Sequence, residues 1–150
     1  MQEKTNKKNK KNSNKHHELL STRHAKYILH SHCIFTTKYR KKIFTKEHLE
    51  DMEKIFSSIC KKFDGELIEF NGEEDHVHLL VIYPPRIAIS VLVNNLKCVS
   101  SRLLRKKYPI FKEKYWGTTA LWSRSYFVAS VGGAPIEILK QYIENQDCPD

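Results

Sequence analysis

Two segments with helical spacing of apolar residues alternate with short segments rich in β-branched and aromatic residues, and this order constrains the fold most. In the 150-residue chain, apolar residues recur three and four positions apart over residues 46–63 and again over 90–107. Thr45 supplies an N-cap for the first segment, and Pro109 follows the second. The spacing therefore predicts two amphipathic helices, each with one apolar face to bury.

Four strand-like segments accompany these helices, at residues 27–36, 66–70, 76–83 and 125–131. Asn71-Gly72 predicts the turn of a hairpin between the second and third strands. The resulting β-α-β-β-α-β order predicts an α+β, ferredoxin-like (RRM-like) fold, in which two helices cover one face of a four-stranded, mostly antiparallel sheet. Pro135, a favoured first helical residue, begins a predicted C-terminal helix that can lie over the other face.

Positive charge is concentrated at the N-terminus. The formal net charge is +9, and residues 1–15 contain six lysines and one glutamate, a net charge of +5, which leaves +4 for residues 16–150. We predict a disordered basic tail over residues 1–20, for which a solubilising role is the simplest interpretation, and a single domain over 21–150. The moderately basic domain suits a polyanionic partner such as nucleic acid.

The cysteine pattern and hydropathy bear on the compartment. The four cysteines show no CxxC pairing, and the sequence contains neither an apolar signal segment nor a run long enough to span a membrane. We therefore expect a soluble, cytoplasmic protein.

Two histidines stand at the head of an apolar strand. Alternate side chains of a strand share a face, so the Cβ atoms of His76 and His78 are expected roughly 6–7 Å apart on the face opposite the two helices. Imidazoles at this spacing can converge on one metal ion. His30 and His32 repeat the spacing, so it leaves open a metal site or a merely polar sheet face at either pair. Asp75 is expected on the opposite face.

The predicted C-terminal helix carries two further candidates. Tyr142 and Gln146 are one helical turn apart, with Cβ atoms about 6 Å from each other. If this helix docks on the vacant sheet face, it brings a phenol and an amide to the imidazoles. The alternative is that Tyr142 packs on the sheet while Gln146 faces solvent.

Four segments of the chain, in order, resemble the HUH-superfamily single-tyrosine transposases, which move small bacterial and archaeal insertion sequences as single-stranded DNA. These segments are TKYRKKIF at 37–44, DHVHLL with its His-hydrophobic-His motif at 75–80, LVNNLKCVSSRLLRKKYP at 92–109, and LWSRSYFVASVGGAPIEILKQYIENQ at 121–146. The resemblance covers roughly residues 24–147 and leaves the tail outside.

The resemblance implies a function and a site. It makes Tyr142 the nucleophile, and His76, His78 and Gln146 the ligands of a divalent metal, Mg²⁺ or Mn²⁺. It implies a DNA strand-transferase and endonuclease that cleaves and rejoins single-stranded DNA at insertion-sequence ends through a 5′-phosphotyrosine, without ATP. The implied partners are single-stranded DNA with hairpin ends and a second copy of the chain, in a homodimer that shares its active sites.

Basic residues in two of the similar segments are candidate DNA contacts, with Tyr39 or Trp122 as stacking groups or, for the tryptophan, a core residue. These candidates are Lys38, Arg40, Lys41, Lys42, Lys97, Arg102, Arg105, Lys106 and Lys107. Two positions depart from the family pattern: Cys98 replaces a usual glycine and is expected to crowd a helix contact, and Arg124 replaces a usual proline and adds charge beside the last strand.

Three other readings fit the same pattern. A non-catalytic nucleic-acid-binding module of the same topology would need neither Tyr142 nor a metal. A domesticated relative acting on chromosomal repeat hairpins would use the same chemistry on another substrate. A zinc-stabilised structural domain would use the histidines for folding alone.

Overall fold

The computed structural model of the chain describes residues 20–21, 23–27, 29–115 and 120–130. In chain order its elements are β1 (Leu20–Ser21), β2 (Lys26–Tyr27), β3 (His30–Thr36), a 3₁₀ turn (Lys38–Arg40), α1 (Lys46–Lys62), β4 (Glu66–Gly72), β5 (His76–Ile82), α2 (Ile89–Lys107), α3 (Ile110–Lys114) and β6 (Phe127–Ser130). No helix in these described ranges has the length and apolar character needed to cross a membrane.

The main sheet has four strands in the order β4-β5-β3-β6, and every neighbouring pair is antiparallel. Both long helices contribute to a core that also contains the fully buried Val77, Leu79 and Val81 of β5. Helices α1 and α2 therefore cover the face of the sheet to which these valines and leucine point. The predicted ferredoxin-like fold is confirmed.

The two predicted helices match α1 and α2 to within one residue at each end. Helix α1 begins with a reciprocal cap: Thr45 Oγ1 accepts a hydrogen bond from the backbone N–H of His48, and His48 Nδ1 accepts one from the backbone N–H of Thr45, at 3.0 Å. A histidine thus takes the place that glutamate or glutamine usually fills in a capping box.

The start of the first strand and the segment after α2 differ from expectation. Strand β3 begins at His30 rather than at residue 27, because Tyr27 pairs with Leu20 in a separate two-stranded sheet formed by β1 and β2. Of the predicted tail, Leu20 is the residue that lies among those described. The predicted C-terminal helix lies outside them. Helix α3, which buries Phe111, lies between α2 and β6, where the sequence pattern predicts no helix.

The predicted Asn71-Gly72 turn is wrong. Both residues belong to β4, where Asn71 pairs with His78 and Gly72 with Val77. The turn lies over residues 73–75 and is closed by the Glu73 N–H donating to the carbonyl oxygen of His76 at 2.9 Å. The reason is packing: a Cβ at position 72 would stand 2.5 Å from Cδ2 of Leu49 on α1, so the glycine permits close contact between helix and strand.

Candidate active site

The two histidine rings of β5 lie side by side on the sheet face away from α1 and α2. The ring centroids of His76 and His78 are 5.2 Å apart, with 75° between the ring planes. Across the ladder with β3, His76 pairs with Thr36 and His78 with Ile34, and both of these neighbours are fully buried. The alternation of β5 thus presents two imidazoles next to each other, as the sequence predicts.

His78 is a neutral imidazole at physiological pH. Burial lowers its pKa to about 4, with further lowering by the charges of His76 and His32. A neutral ring keeps a nitrogen lone pair available to a metal ion.

The position of Asp75 also differs from the one that the sequence predicts. Because it lies in the turn before β5 rather than in the strand, alternation does not fix its direction, and its Oδ1 accepts a hydrogen bond from His76 Nδ1 at 2.8 Å. Its Oδ2 accepts two more from Arg40, from Nε at 3.1 Å and from Nη2 at 2.9 Å. Burial raises the pKa of Asp75, but the hydrogen bonds from His76 and Arg40 and the positive charges outweigh burial and lower it, so the carboxylate is charged.

Arg40 reaches Asp75 from a strained turn. Tyr39 and Arg40 have φ values of 62° and 53°, a left-handed conformation that costs non-glycine residues about 1–3 kcal/mol each. The turn is held by Thr37 Oγ1, which donates to the Lys41 carbonyl oxygen at 2.8 Å, and by Tyr115 Oη, which donates to the Lys38 carbonyl oxygen at 2.9 Å. Its conformation is therefore fixed by the surrounding structure.

The same turn exposes an aromatic ring close to two ammonium groups. Tyr39 is 44% exposed. Lys38 Nζ lies 5.5 Å and Lys41 Nζ 5.9 Å from the centroid of its ring. An exposed ring flanked by cations is suited to stacking on a nucleobase while the cations contact phosphates.

A small cavity of about 260 Å³ opens beside His78. It is lined by His32, Glu69, Asn71, His78, Leu79 and Leu80. The ring centroids of His32 and His78 are 5.5 Å apart, and burial lowers the pKa of His32 although the charge of Glu69 raises it. His32 therefore lies next to the β5 pair, that is, His76 and His78. His30 is two residues earlier on β3, opposite Ile82.

The basic residues of α2 lie on the other side of the sheet from the histidines, and several of them have structural partners. Lys97 Nζ donates to the carbonyl oxygens of Ser123, Arg124 and Ser125, at 2.5, 3.1 and 3.2 Å. Lys107 Nζ donates to Asp51 Oδ2 at 2.6 Å. Of the predicted DNA contacts, the structure thus brings Arg40 to the histidine pair, and Lys38 and Lys41 to the adjoining turn, but not the α2 residues.

A cavity of about 390 Å³ lies between α2 and residues 120–124 and is lined in part by Lys97, Cys98, Arg102, Arg105 and Arg124. The expected crowding at Cys98 is not observed, because this cysteine is exposed. Trp122 is 4% exposed and donates from Nε1 to Ser100 Oγ at 2.9 Å. It is a core residue, so the stacking role considered for it is wrong.

The donor set of the β5 pair fits a divalent cation, although it is incomplete. Two adjacent imidazoles, one held neutral by burial and the other hydrogen-bonded through Nδ1 to a carboxylate, are typical metal ligands. Among the described residues, no group of three or more His, Cys, Asp or Glu side chains is arranged to hold a metal ion. Tyr142 and Gln146, the remaining predicted site residues, lie outside the described residues.

Comparison with protein families and sequences finds transposases. The family described as "Transposase IS200 like" matches residues 25–146. The ISDra2 transposase TnpA of Deinococcus radiodurans is 35% identical over 120 residues, which cover 80% of this chain and 85% of that protein. The transposase for insertion sequence element IS200 of Salmonella typhimurium is 29% identical over 126 residues, covering 84% of this chain and 82% of that protein.

Solved structures give the same result for the fold. The crystal structure of a putative transposase from Deinococcus radiodurans superposes with a TM-score of 0.76 at 31% identity, covering 85% of this chain and 98% of that one. A REP-associated tyrosine transposase bound to a REP hairpin superposes with a TM-score of 0.52 at 8% identity, covering 86% and 76%. The second similarity is evidence for a shared fold alone.

Proposed function

This chain belongs to the IS200-like transposase family, and from this premise we propose that it cleaves and rejoins single-stranded DNA at insertion-sequence ends through a 5′-phosphotyrosine, with a divalent metal. The observation that carries the proposal beyond DNA transposition in general is the pair of adjacent imidazoles on β5, whose ring centroids are 5.2 Å apart. The sequence resemblance supplies the remaining parts, Tyr142 and Gln146.

In the proposed site, His76, His78 and Gln146 hold Mg²⁺ or Mn²⁺. The magnesium assignment comes from the resemblance, since imidazole ligands by themselves favour Mn²⁺ or Zn²⁺. When bound, the cation supplies positive charge that polarises the scissile phosphate. Because all three protein ligands are neutral, the ligands themselves cancel none of that charge.

Tyr142 is the proposed nucleophile. A free tyrosine hydroxyl has a pKa near 10, so only about 0.1% is phenolate at neutral pH, and a positively charged site favours that form. The Tyr142 oxygen attacks the phosphorus, the bond from phosphorus to the 3′ oxygen breaks, and the 3′ oxygen takes up a proton and leaves as a free hydroxyl. Attack of a 3′ hydroxyl on the phosphotyrosine rejoins DNA and restores Tyr142, so no ATP is required.

We define residues 38–42 as the basic turn and propose that it holds DNA. The turn lies close to His76, because Arg40 contacts Asp75, which in turn contacts His76. Lys38 and Lys42 are placed to bind phosphates and Tyr39 to stack on a base, whereas Lys41 Nζ donates to the carbonyl oxygen of Lys114. We assign the α2 residues Arg102 and Lys106, both exposed, to a second contact on the far side of the sheet. A homodimer whose C-terminal helices complete each other's sites is part of the same proposal.

The decisive experiment is detection of a covalent protein–DNA adduct on a single-stranded hairpin substrate with Mg²⁺ or Mn²⁺. Wild-type protein is expected to form the adduct, and Tyr142→Phe is expected to form none. Tyr39→Phe is the matched control: it removes the hydroxyl of an exposed tyrosine in the basic turn but keeps the ring, so the adduct should persist.

His76→Ala separates chemistry from binding. It should abolish cleavage while leaving most of the phosphate-driven DNA affinity. An adduct formed equally by Tyr142→Phe would move the nucleophile to another residue. Absence of any adduct from wild-type protein, with DNA binding intact, would favour the non-catalytic module. Cleavage of chromosomal repeat hairpins in preference to insertion-sequence ends would favour the domesticated relative.

A further inference from the structure

We infer that Asp75, held in place by Arg40, is a positioning residue that fixes His76 as the Nδ1-protonated tautomer and so directs its Nε2 lone pair to the metal. The metal part of this inference rests on the proposed function. The tautomer part does not, because it concerns the protein without metal.

The tautomer follows from the hydrogen-bond chemistry. Asp75 is a charged carboxylate and can only accept, so the 2.8 Å contact between its Oδ1 and His76 Nδ1 requires the proton to be on Nδ1. In a neutral imidazole the lone pair is then on Nε2. A metal-binding histidine usually has such a partner on its second nitrogen, which sets the ring orientation and raises the basicity of the ligating nitrogen.

Arg40 leaves Asp75 little freedom to turn away. Its Nε and Nη2 both donate to Oδ2, which keeps Oδ1 directed at His76. The three side chains are only 12–15% exposed, so water competes weakly for these contacts. Arg40 thus orients Asp75, and Asp75 in turn orients the ring of His76.

The backbone binds the same two segments together. The backbone N–H of Thr37 donates to the carbonyl oxygen of Asp75 at 2.9 Å. The backbone N–H groups of Ile43 and Phe44 both donate to the carbonyl oxygen of Glu74 at 3.0 Å. The turn that carries Asp75 is therefore clamped by the segment that carries Arg40. These hydrogen bonds hold Arg40 in its left-handed backbone conformation, which is unfavourable for a residue other than glycine.

The chain offers a matched control. Arg86 donates to Asp64 Oδ2 in another arginine–aspartate pair, but there the side chains are 57% and 75% exposed. Asp64 has a φ of 58°, a conformation that asparagine tolerates well. Asp64→Asn therefore breaks the same type of ion pair without strain and away from the histidines.

The test compares Asp75→Asn with Asp64→Asn in the full-length chain. Arginine can only donate, so the amide oxygen introduced at position 75 should turn to Arg40 and leave the NH₂ group facing His76. Nδ1 must then accept, and the proton moves to Nε2. Two-bond ¹H–¹⁵N spectra of the metal-free protein should show this change for Asp75→Asn, and calorimetry with Mn²⁺ alone should show affinity falling about 10–100-fold. Asp64→Asn should keep the wild-type tautomer and an affinity within about twofold.

Several results would overturn the inference. Wild-type His76 carrying its proton on Nε2 would do so without any variant, which covers the case in which Asp75→Asn fails to fold. A folded Asp75→Asn protein with an unchanged tautomer, or with unchanged Mn²⁺ affinity, would do so as well.

Wild-type protein with the expected tautomer but no Mn²⁺ binding would instead overturn the proposed metal dependence and leave the tautomer assignment standing. Arg40→Gln should retain the tautomer of His76 and weaken Mn²⁺ binding. An unchanged Mn²⁺ affinity would show that Arg40 has no part in positioning His76.

Discussion

At the scale of single residues, Gly72 shows how a position with an apparent turn signal serves packing. It is a strand residue paired with Val77, and the space that its missing side chain would fill is occupied by Leu49. Gly65 is a contrasting case, because there a Cβ would collide with the backbone carbonyl oxygen of Ile82. A flexible side chain can give way, whereas a paired strand backbone cannot.

Gly72→Ala is therefore expected to destabilise the protein by about 1–3 kcal/mol, and Leu49→Ala should recover part of that loss in the double variant. Urea unfolding of the single and double variants measures the coupling. Gly65→Ala combined with Leu49→Ala is the control and should be additive. Additivity of the Gly72 and Leu49 changes would contradict the packing explanation.

At the scale of elements, the N-terminus of α1 depends on a neutral histidine. His48 is buried, and its Nδ1 must be unprotonated to accept from the Thr45 N–H. Burial lowers the pKa of His48 below 6.5, and this outweighs the hydrogen bond with Ile43 and the charges of Glu47 and Asp51, which raise it. The folded protein thus binds fewer protons here than the unfolded chain, so the stability that His48 contributes is complete above pH 6.5 and is lost as the pH falls through the folded-state pKa.

His48→Gln tests this dependence, because glutamine can complete the capping box and does not titrate. The free energy of urea unfolding should fall more steeply in the wild type than in the variant below pH 6.5. The difference between the two proteins in this loss of unfolding free energy should not exceed the contribution of a helix N-cap, about 0.5–2 kcal/mol. Parallel pH profiles for the two proteins would rule out His48 as the source.

At the scale of the whole molecule, the sheet separates two functions. One face is covered by α1 and α2 and carries the apolar core, and the other presents the histidine pair. The basic residues are divided in the same way, between the basic turn beside His76 and the exposed part of α2. Several of these cations are engaged within the protein, so their number overstates the charge available to DNA.

Lys42, exposed at the end of the basic turn, is expected to contact a DNA phosphate. For single-stranded DNA, Lys42→Gln should lower the slope of log affinity against log salt concentration by about 0.7. Lys62→Gln, a change at another exposed lysine at the end of α1, should leave the slope unchanged. Binding titrations at several salt concentrations distinguish the two, and equal slopes for both variants would show that Lys42 makes no phosphate contact.

The sequence by itself determined the two long helices, the four strands of the main sheet and the face on which the histidines lie. Helix spacing and strand alternation are local properties, so α1, α2 and the common face of His76 and His78 could be predicted without knowing which strands pair. The ferredoxin-like order followed for the same reason. The resemblance then added Tyr142 and Gln146, which remain predictions.

Only the tertiary structure decided what lies beside each of these residues. Asp75 and Arg40 are 35 positions apart, and their contact depends on a turn, a left-handed backbone and inter-segment hydrogen bonds that no local pattern encodes. The burial of Trp122 and the true turn after Gly72 also depend on distant partners. Local spacing sets the direction of a side chain within its own element, but the environment of that side chain is set by segments that meet only in the folded chain.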